Sequence, residues 1–329
     1  MLCHSKMSAA LACCVGLFAL TVQAKGPTYT DPAKTDSDFA YQGEYSGEIA
    51  VDGNKLKLGV QVIALGDGRF RSVSYIGGLP GDGWDGGEKR SAPGELKDGV
   101  VVFADDRAQG EIRGGKLHIN AKEVSATGTL EKITRESPTM GAKPPAGATV
   151  LFAGTSAENF SGGKVKDGLL QAGCTSKQKF GSHRLHIEFR LPYQPQDRGQ
   201  GRGNSGIYLQ GRYECQMLDS FGLDGKQNEC GGLYSVKAPD VNMCFSPLTW
   251  QTYDVDYMAG KYDDDGQVVT NPRVTVRHNG VVIHKDVELP GERNTTAAPS
   301  KPGNAPGPIY LQNHGHPVVY RNIWVVPND

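Results

Sequence analysis

The chain has 329 residues, of which 38% are hydrophobic and 22% charged, the composition of a globular protein and not of a disordered or collagen-like one. Its 35 Lys and Arg residues nearly balance 36 Asp and Glu residues, so there is no basic excess and we expect no nucleic-acid partner. The 44 Gly and 19 Pro residues divide the sequence into short segments, which excludes long helices.

Residues 1–24 have the pattern of a secretory signal peptide. Lys6 supplies a positive start, residues 7–22 form an apolar run, and Ala24 ends a stretch suited to cleavage. We expect the mature chain to begin at Lys25, to be periplasmic or secreted, and to have no membrane span. An uncleaved membrane anchor is the alternative, but the apolar run is short and a polar, Pro-containing stretch follows it.

Four cysteines remain after the signal peptide, namely Cys174, Cys215, Cys230 and Cys244. In an exported protein they indicate disulfides, and three pairings are possible. We favour Cys230 with Cys244, because the Gly- and Pro-containing loop between them brings their ends together. A zinc site is not favoured, since the spacings contain no C-x-x-C pair.

Residues 36–135 are interpreted as a small accessory β-domain. Strand-like runs alternate there with tight-turn signals such as Asp52-Gly53 and Asp98-Gly99. Residues 136–148 have the Pro-, Gly- and Ala-rich composition of a linker. A larger second domain is therefore expected over residues 149–329. The predicted strands of the first domain are Tyr45–Val51, Lys55–Ala64, Phe70–Ile76, Val100–Ala104 and Lys116–Ala121.

Two segments of the second domain alternate between apolar and polar residues. Arg184–Leu191 places Leu, Ile and Phe on one face and Arg, His and Glu on the other, and Ile207–Met217 continues the pattern. We expect both segments to contribute to one polar face. Such a face, rich in Arg, Gln, Tyr, His and Glu, indicates a surface for a polyhydroxylated ligand, and an ordinary solvated face is the alternative.

Later segments complete an antiparallel pattern, with Asn279-Gly280 as the strongest hairpin signal. The fold class predicted is all-β, a two-sheet sandwich or jelly roll. Asp263-Asp264-Asp265-Gly266 lacks the closing Glu of a calcium loop and is interpreted as a polar turn. The later predicted strands are Trp250–Tyr257, Arg273–His278, Val281–His284, Pro308–Gln312 and Val318–Val326.

Seven motifs of the second domain occur in one order, and through them the chain resembles the 3-keto-disaccharide hydrolase family, also described as 3-keto-glucoside 1,2-lyases and 3-keto-2-hydroxy-glucal hydratases. The resemblance implies a concanavalin-like β-sandwich that acts on 3-oxidised glucosides. It also implies a separate sugar 3-dehydrogenase upstream and no redox cofactor in this chain. The motifs are Leu185–Arg190, Gly203–Tyr208, Tyr213–Ser220, Trp250–Asp254, His278–Val281, Leu311–Gly315 and Tyr320–Trp324.

The implied reaction requires particular groups. A ketone at C3 acidifies the hydrogen on C2, so a base removes that proton, the C1 substituent departs by β-elimination, and water adds back. The candidate catalytic residues are Glu188, His314, Glu214 and Asp219. The candidate substrate-binding residues are His186, Arg190, Asn204, Ser205, Tyr208, Gln210, Arg212, Gln216, Tyr234, Trp250 and Gln312.

Each assignment has a structural alternative. Glu188 with Arg190, and Glu214 with Arg212, are suited to cross-strand ion pairs, and His314 to a turn. A divalent metal of unknown identity is a further possibility, because it polarises the C3 carbonyl without a proton. His186, Glu188 and His314 are its candidate ligands, although no spacing proves the site.

Two other functions remain open. A laminarinase-like retaining glycoside hydrolase uses Glu-x-Asp-x-x-Glu, and the matching positions here are Glu214, Gln216 and Asp219. Replacement of the middle acid by Gln216 and shortening of the last Glu to Asp argue against direct displacement at C1. The second alternative function is a carbohydrate-binding module without catalysis, which needs no base.

Overall fold

The computed structural model describes residues 26–104, 108–121 and 125–328, so the predicted signal peptide lies outside the described residues. The all-β prediction is confirmed, because only three short 3-10 turns interrupt the strands of these ranges: Pro32–Lys34, Ser37–Ala40 and Gly199–Gly201. None of the helical turns described is long and apolar enough to cross a bilayer.

Eight strands between Gly43 and Ile133 form a closed barrel in which each strand pairs with the next and the last pairs antiparallel with the first. Three of its strands were not predicted, because β4 contains a proline and β6 and β8 mix glycine with charged residues. The strands are β1 Gly43–Val51, β2 Asn54–Gly66, β3 Arg69–Ile76, β4 Lys89–Lys97, β5 Val100–Ala104, β6 Ala108–Arg113, β7 Lys116–Ala121 and β8 Ala126–Ile133.

Residues 149–327 form two packed sheets and a small hairpin. One sheet has five strands in the order β10-β13-β22-β15-β16. The other has eight, seven of them in the order β11-β12-β23-β14-β17-β20-β21 and the eighth, β9, beside β23. The strands are β9 Thr149–Phe152, β10 Phe160–Ser161, β11 Val165–Lys166, β12 Leu169–Gln171, β13 Cys174–Phe180, β14 His183–Arg190, β15 Ser205–Leu209, β16 Tyr213–Met217, β17 Trp250–Met258, β18 Lys261–Tyr262, β19 Val268–Thr270, β20 Arg273–His278, β21 Val281–Glu288, β22 Gly307–Leu311 and β23 Val319–Pro327.

The core of the sandwich lies between the two sheets. Leu185, Ile187 and Phe189 of β14 share one buried cluster with Ile207 of β15 and Cys215 of β16. Since successive side chains of a strand point to opposite faces, the polar residues of β14 and β16 point away from this core on opposite sides of the sandwich. The expectation of one common polar face is therefore wrong, because the two segments belong to different sheets.

The segment from Ile207 to Met217 is a hairpin and not one continuous strand. Gln210 and Gly211 adopt φ of 52° and 63°, which reverses the chain so that Leu209 pairs with Tyr213. Paired residues of a hairpin share a face, so the alternation survives the turn. The Asn279-Gly280 prediction is confirmed: both residues have positive φ, 50° and 80°, and join β20 to β21.

The predicted disulfide is not formed. Cys174, Cys215, Cys230 and Cys244 are all buried free thiols. The Cys230 thiol lies 3.3 Å from the Tyr253 hydroxyl, and the Cys244 thiol lies 3.4 Å from the carbonyl oxygen of Phe245. The Cys230 and Cys244 thiols nonetheless lie within hydrogen-bond reach of each other, so the predicted partners are neighbours in the core without a covalent link.

The barrel packs directly on the sandwich. Ile63, Tyr75 and Leu79 of the barrel form an apolar cluster with Phe221, which follows β16. Arg71 donates a hydrogen bond to the carbonyl oxygen of Gly222 at 3.1 Å. The two parts of the chain are therefore joined by an apolar and hydrogen-bonded contact.

Candidate active site

The outer face of the five-stranded sheet carries a compact set of polar and aromatic side chains. Ile207 and Leu209 of β15 and Ile309 and Leu311 of β22 are buried in the core, so the residues between them point outward. This parity places Tyr208, Glu214, Gln216, Tyr310 and Gln312 on one face. Tyr310 was not predicted as a site residue, although it lies two residues before Gln312 and the period of a strand identifies it.

Glu214 is the acid of this face, and its carboxyl group is almost inaccessible to solvent, with the residue 3% exposed. Its Oε2 accepts a hydrogen bond of 2.7 Å from the Tyr208 hydroxyl. Burial raises the pKa of Glu214 to about 7, although the hydrogen bond from Tyr208 acts to lower it. Protonated and ionised forms are therefore both populated near neutral pH.

Gly206 leaves the room that the Glu214 carboxyl group occupies. The two residues lie on neighbouring strands, where Gly206 pairs with Gln216. A Cβ atom at position 206 would lie 2.1 Å from Oε1 of Glu214, which is far inside van der Waals contact. Only glycine at this position permits the observed orientation of the acid.

Amide side chains extend the polar face toward the glycine-rich loop. Gln312 donates to the Tyr208 hydroxyl at 3.1 Å, and Gln216 donates to Oε1 of Gln200 at 3.2 Å. The same Gln200 oxygen accepts from Asn204 at 3.0 Å. Gln200 was not predicted from the sequence, because nothing in Gly199–Gly203 distinguishes its side chain from a solvated loop residue.

Two histidines and one tyrosine lie at the margin of this face. His314 is exposed between β22 and β23, and its ring stacks on that of His316 with centroids 5.8 Å apart. His316 Nδ1 accepts from the backbone N–H of Asn204 at 3.2 Å. The N–H of Tyr234 donates to the Glu214 carbonyl oxygen at 3.1 Å, and Tyr234 also lines an open hollow of about 550 Å³.

Four predicted site residues make structural contacts within the protein instead of facing the polar surface. Arg212 donates to Gln210 and to the carbonyl oxygens of Lys301 and Ala305, so Gln210 and Arg212 stabilise the turn at the end of the sheet. Ser205 lies 2.7 Å from the carbonyl oxygen of Gln312 and points into the core. Asp219 accepts a 2.6 Å hydrogen bond from Nε of Arg202 in a buried ion pair.

Glu188 lies on the outer face of the eight-stranded sheet, beneath the segment that was predicted to be a linker. It accepts hydrogen bonds from the N–H of Gly141 at 2.6 Å, from Arg321 at 2.6 Å and from Asn322 at 2.8 Å. Burial acts to raise the pKa of Glu188, but these donors and His186 outweigh it and hold the pKa at about 2. A carboxylate so stabilised is a weak base.

His186 is held in the same outer cluster. Its Nδ1 lies 2.7 Å from Oδ1 of Asp254, and its ring stacks on Trp324. Burial acts to lower the pKa of His186, but Asp254 and Glu188 raise it above its ordinary value. Ser137 and Thr139 hydrogen-bond to Thr252 on this face, so residues 137–142 cover the cluster.

Arg190 and Trp250 lie on this second face as well. The Arg190 guanidinium group is 5.1 Å from the Trp250 ring, and that of Arg321 is 4.0 Å from it. Arg190 also donates to the carbonyl oxygen of Thr30. The structure thus separates His186, Glu188, Arg190 and Trp250 from Glu214 by the thickness of the sandwich.

No group of three or more His, Cys, Asp or Glu side chains is arranged to hold a metal ion within residues 26–104, 108–121 and 125–328. Of the predicted ligands, His186 and Glu188 are neighbours, with Nε2 and Oε1 3.6 Å apart. His314 lies instead in the connection between β22 and β23.

Comparison with known proteins decides the family. Residues 147–326 match the 3-keto-alpha-glucoside-1,2-lyase-like domain, which is more than half of the chain. The chain belongs to this family. The predicted resemblance is thereby confirmed, and the sandwich is a carbohydrate-processing domain. No curated protein matches the chain.

Two solved structures from Parabacteroides distasonis are similar to this chain. One is a candidate glycosyl hydrolase with 34% identity and a TM-score of 0.51, covering 56% of this chain and 85% of its own. Another candidate glycosyl hydrolase has 18% identity and a TM-score of 0.42, covering 56% of this chain and 95% of its own. The first of these supports a carbohydrate-active sandwich.

Proposed function

We propose that the sandwich domain cleaves 3-keto-glucosides by proton abstraction at C2, elimination of the C1 substituent and hydration of the resulting glucal. The observation that carries the proposal is Glu214, a buried acid with a pKa of about 7 on the polar face of a domain of this family. A catalytic acid or base is most effective when its pKa lies near the working pH.

In the first step, ionised Glu214 takes the proton from C2, and the C–H electron pair forms an enolate with the C3 carbonyl. The enolate collapses to a C1–C2 double bond and expels the C1 oxygen, which receives a proton. His314, exposed beside the face, is the proposed donor of that proton. The products are the free alcohol and a 2-hydroxy-3-keto-glucal.

In the second step, water adds to C1 of the glucal and gives one proton to His314, while Glu214, whose acid proton has exchanged with solvent, returns a proton to C2. The sum of both steps is hydrolysis, and Glu214 ends in its starting state. A single group performs both transfers only if it gains and loses a proton readily, which a pKa of about 7 permits. Gln216, Gln312, Asn204 and Tyr234 are proposed to bind the sugar hydroxyls and ring.

Direct displacement at C1 is supported less well. A retaining hydrolase needs two carboxyl groups about 5 Å apart on one face. Asp219, which follows Glu214 in the laminarinase-like pattern, is paired with Arg202 at 2.6 Å. Glu188 lies on the other sheet. The polar face therefore suits one proton-transferring acid better than a nucleophile with an acid partner.

We further propose that the protein is exported and receives its substrate from a separate sugar 3-dehydrogenase, because the reaction starts from a ketone that elimination does not create. The reaction transfers no electrons between substrate and protein, so it needs no redox cofactor. A requirement for a divalent ion is tested by assaying the mature protein with and without chelator.

The experiment compares nitrophenyl 3-keto-glucoside with the unoxidised nitrophenyl glucoside. We expect nitrophenol release from the keto substrate alone, and Glu214→Gln to lower kcat by about 10²- to 10⁴-fold. Glu158→Gln, at an exposed position, is the matched control and should retain full activity. Equal cleavage of both substrates would favour direct hydrolysis, and binding without cleavage by the unmodified protein would favour a binding module.

A further inference from the structure

The barrel contains a cavity that the proposed sugar chemistry does not use. Its volume is about 270 Å³, and it lies inside the closed ring of strands β1 to β8. Most of its wall is aliphatic. Its apolar wall includes Leu58, Val60, Phe103, Leu117 and Ile119.

The cavity exists because small residues occupy inward positions in one half of the barrel. Ser72, Ser74, Ala92, Gly110 and Ala126 all line it. Eight strands enclose an interior that large side chains fill completely or that small ones leave open for one small ligand. The small side chains in this half of the barrel therefore leave a cavity where larger ones would form a packed core.

The other half of the barrel is filled. Tyr45 and Phe70 are completely buried there, and Tyr193 and Leu248 of the sandwich domain belong to the same apolar cluster. Access to the cavity is therefore from the end that faces away from these two residues.

The accessible end is marked by the strand termini that line the cavity. Val51 ends β1, Leu56 lies near the start of β2, and Ile76 ends β3. Ile76 is 49% exposed at this end of the barrel. An apolar ligand at this mouth would cover it.

Among the lining residues that fall within the described part of the chain, Arg90 is the one that carries a charge. It lies near the start of β4, its side chain is 49% exposed, and its Nε is 3.6 Å from the exposed carboxylate of Glu88. Such a distance leaves a loose, solvated ion pair. A guanidinium group at the mouth of an apolar cavity is suited to a ligand with a carboxylate head.

We propose that the barrel binds a medium-chain carboxylate, with its alkyl body in the cavity and its head group at Arg90. An apolar cavity of about 150 Å³ holds one benzene molecule, so 270 Å³ accommodates roughly ten carbon atoms. The cavity and Glu214 lie in different parts of the chain, so this binding is independent of the reaction proposed for the sandwich.

The test uses the full mature chain and measures displacement of the fluorescent probe N-phenyl-1-naphthylamine by decanoate and by 1-decanol. Ala92→Phe, which fills the cavity, should weaken decanoate binding at least tenfold. Thr127→Phe, on the exposed outer face of β8, is the matched control and should bind as the unmodified protein does. Ser74→Leu serves as a second filling variant in case Ala92→Phe does not fold.

Arg90→Gln tests the head group. It should weaken decanoate binding several-fold and leave 1-decanol binding unchanged, and Glu214→Gln should bind both as before. The proposal is overturned if the unmodified protein displaces no probe with decanoate, or if folded filling variants bind as well as the control. An equal effect of Arg90→Gln on both ligands would overturn the role of the carboxylate.

Discussion

The Tyr208 hydroxyl donates a hydrogen bond of 2.7 Å to Oε2 of Glu214, and both side chains point outward from the five-stranded sheet. The two residues are direct cross-strand partners. This bond stabilises the ionised carboxylate, whereas burial stabilises the neutral acid. Together the two effects bring the pKa of Glu214 to about 7.

Tyr208→Phe should move the pH dependence of kcat/KM to higher pH. Removal of the hydroxyl removes the interaction that lowers the pKa of Glu214, so that pKa rises above about 7 and the base forms only in more alkaline solution. The measurement is kcat/KM between pH 5 and 9. Tyr310→Phe is the control, because Tyr310 touches Tyr208 through its ring. If the acidic limb of the kcat/KM profile stays in place or moves to lower pH, Glu214 is not the base whose ionisation that limb reports.

Gly206→Ala should lower kcat strongly, by about 10²-fold or more, because the added methyl group displaces the Glu214 carboxyl group. Gly181→Ala is the matched control, since a Cβ there meets nothing within 4 Å. Steady-state kinetics of the two purified variants provide the comparison. Unchanged activity of folded Gly206→Ala would show that the position of Glu214 is unimportant.

Glu188→Gln should lower stability and spare the chemistry. The substitution weakens hydrogen bonds from Gly141, Arg321 and Asn322, at a cost on the order of 2 kcal/mol, since Arg321 is partly solvated. Urea unfolding measures the loss, with exposed Glu158→Gln as control. Loss of kcat without loss of stability would instead place Glu188 in the reaction.

Stability should fall as the solution is acidified below about pH 6.5. Burial lowers the pKa of His183 and His284 to about 4 and that of His278 to about 3. In the unfolded chain these histidines become protonated below about pH 6.5, whereas in the folded chain they stay neutral until about pH 3–4. Protonation therefore favours the unfolded state in this range. Glu188, with a pKa of about 2, adds a further loss as pH falls from about 4.5. Glu214 and His186, whose pKa values are raised, act in the opposite direction but are outweighed by the larger combined shift of the three histidines.

Urea unfolding at pH 8, 6.5, 5 and 4 measures this dependence. A free energy of unfolding that stays constant between pH 6.5 and 4.5 would contradict the role assigned to the buried histidines.

Alternation predicted which residues are buried, but it could not assign strands to sheets. Ile187 and Cys215 both lie in the core as expected, yet Glu188 and Glu214 lie on opposite outer faces. Long-range pairing determines which strands are neighbours in a sheet, and a local sequence pattern carries no information about it. The glutamates therefore looked equivalent in the sequence, and only their partners distinguish them.

Two further features depend on tertiary contacts. The sequence did not reveal the turn at Gln210 and Gly211, because Leu209 before it and Tyr213 after it both point into the core and so continue the alternation. Residues 137–142 have the composition of a linker, yet the Gly141 N–H binds Glu188. A backbone group carries no sequence signal for its partner, so this contact could not be predicted.

Proton abstraction at C2 by Glu214 is the central claim, and proton NMR in heavy water tests it most directly. The mature protein is incubated with a 3-keto-glucoside, and the C2 hydrogen of substrate and product is followed. We predict deuterium at C2 and transient 2-hydroxy-3-keto-glucal, both lost in Glu214→Gln and retained in Glu158→Gln. Cleavage that leaves the C2 hydrogen in place would contradict the account.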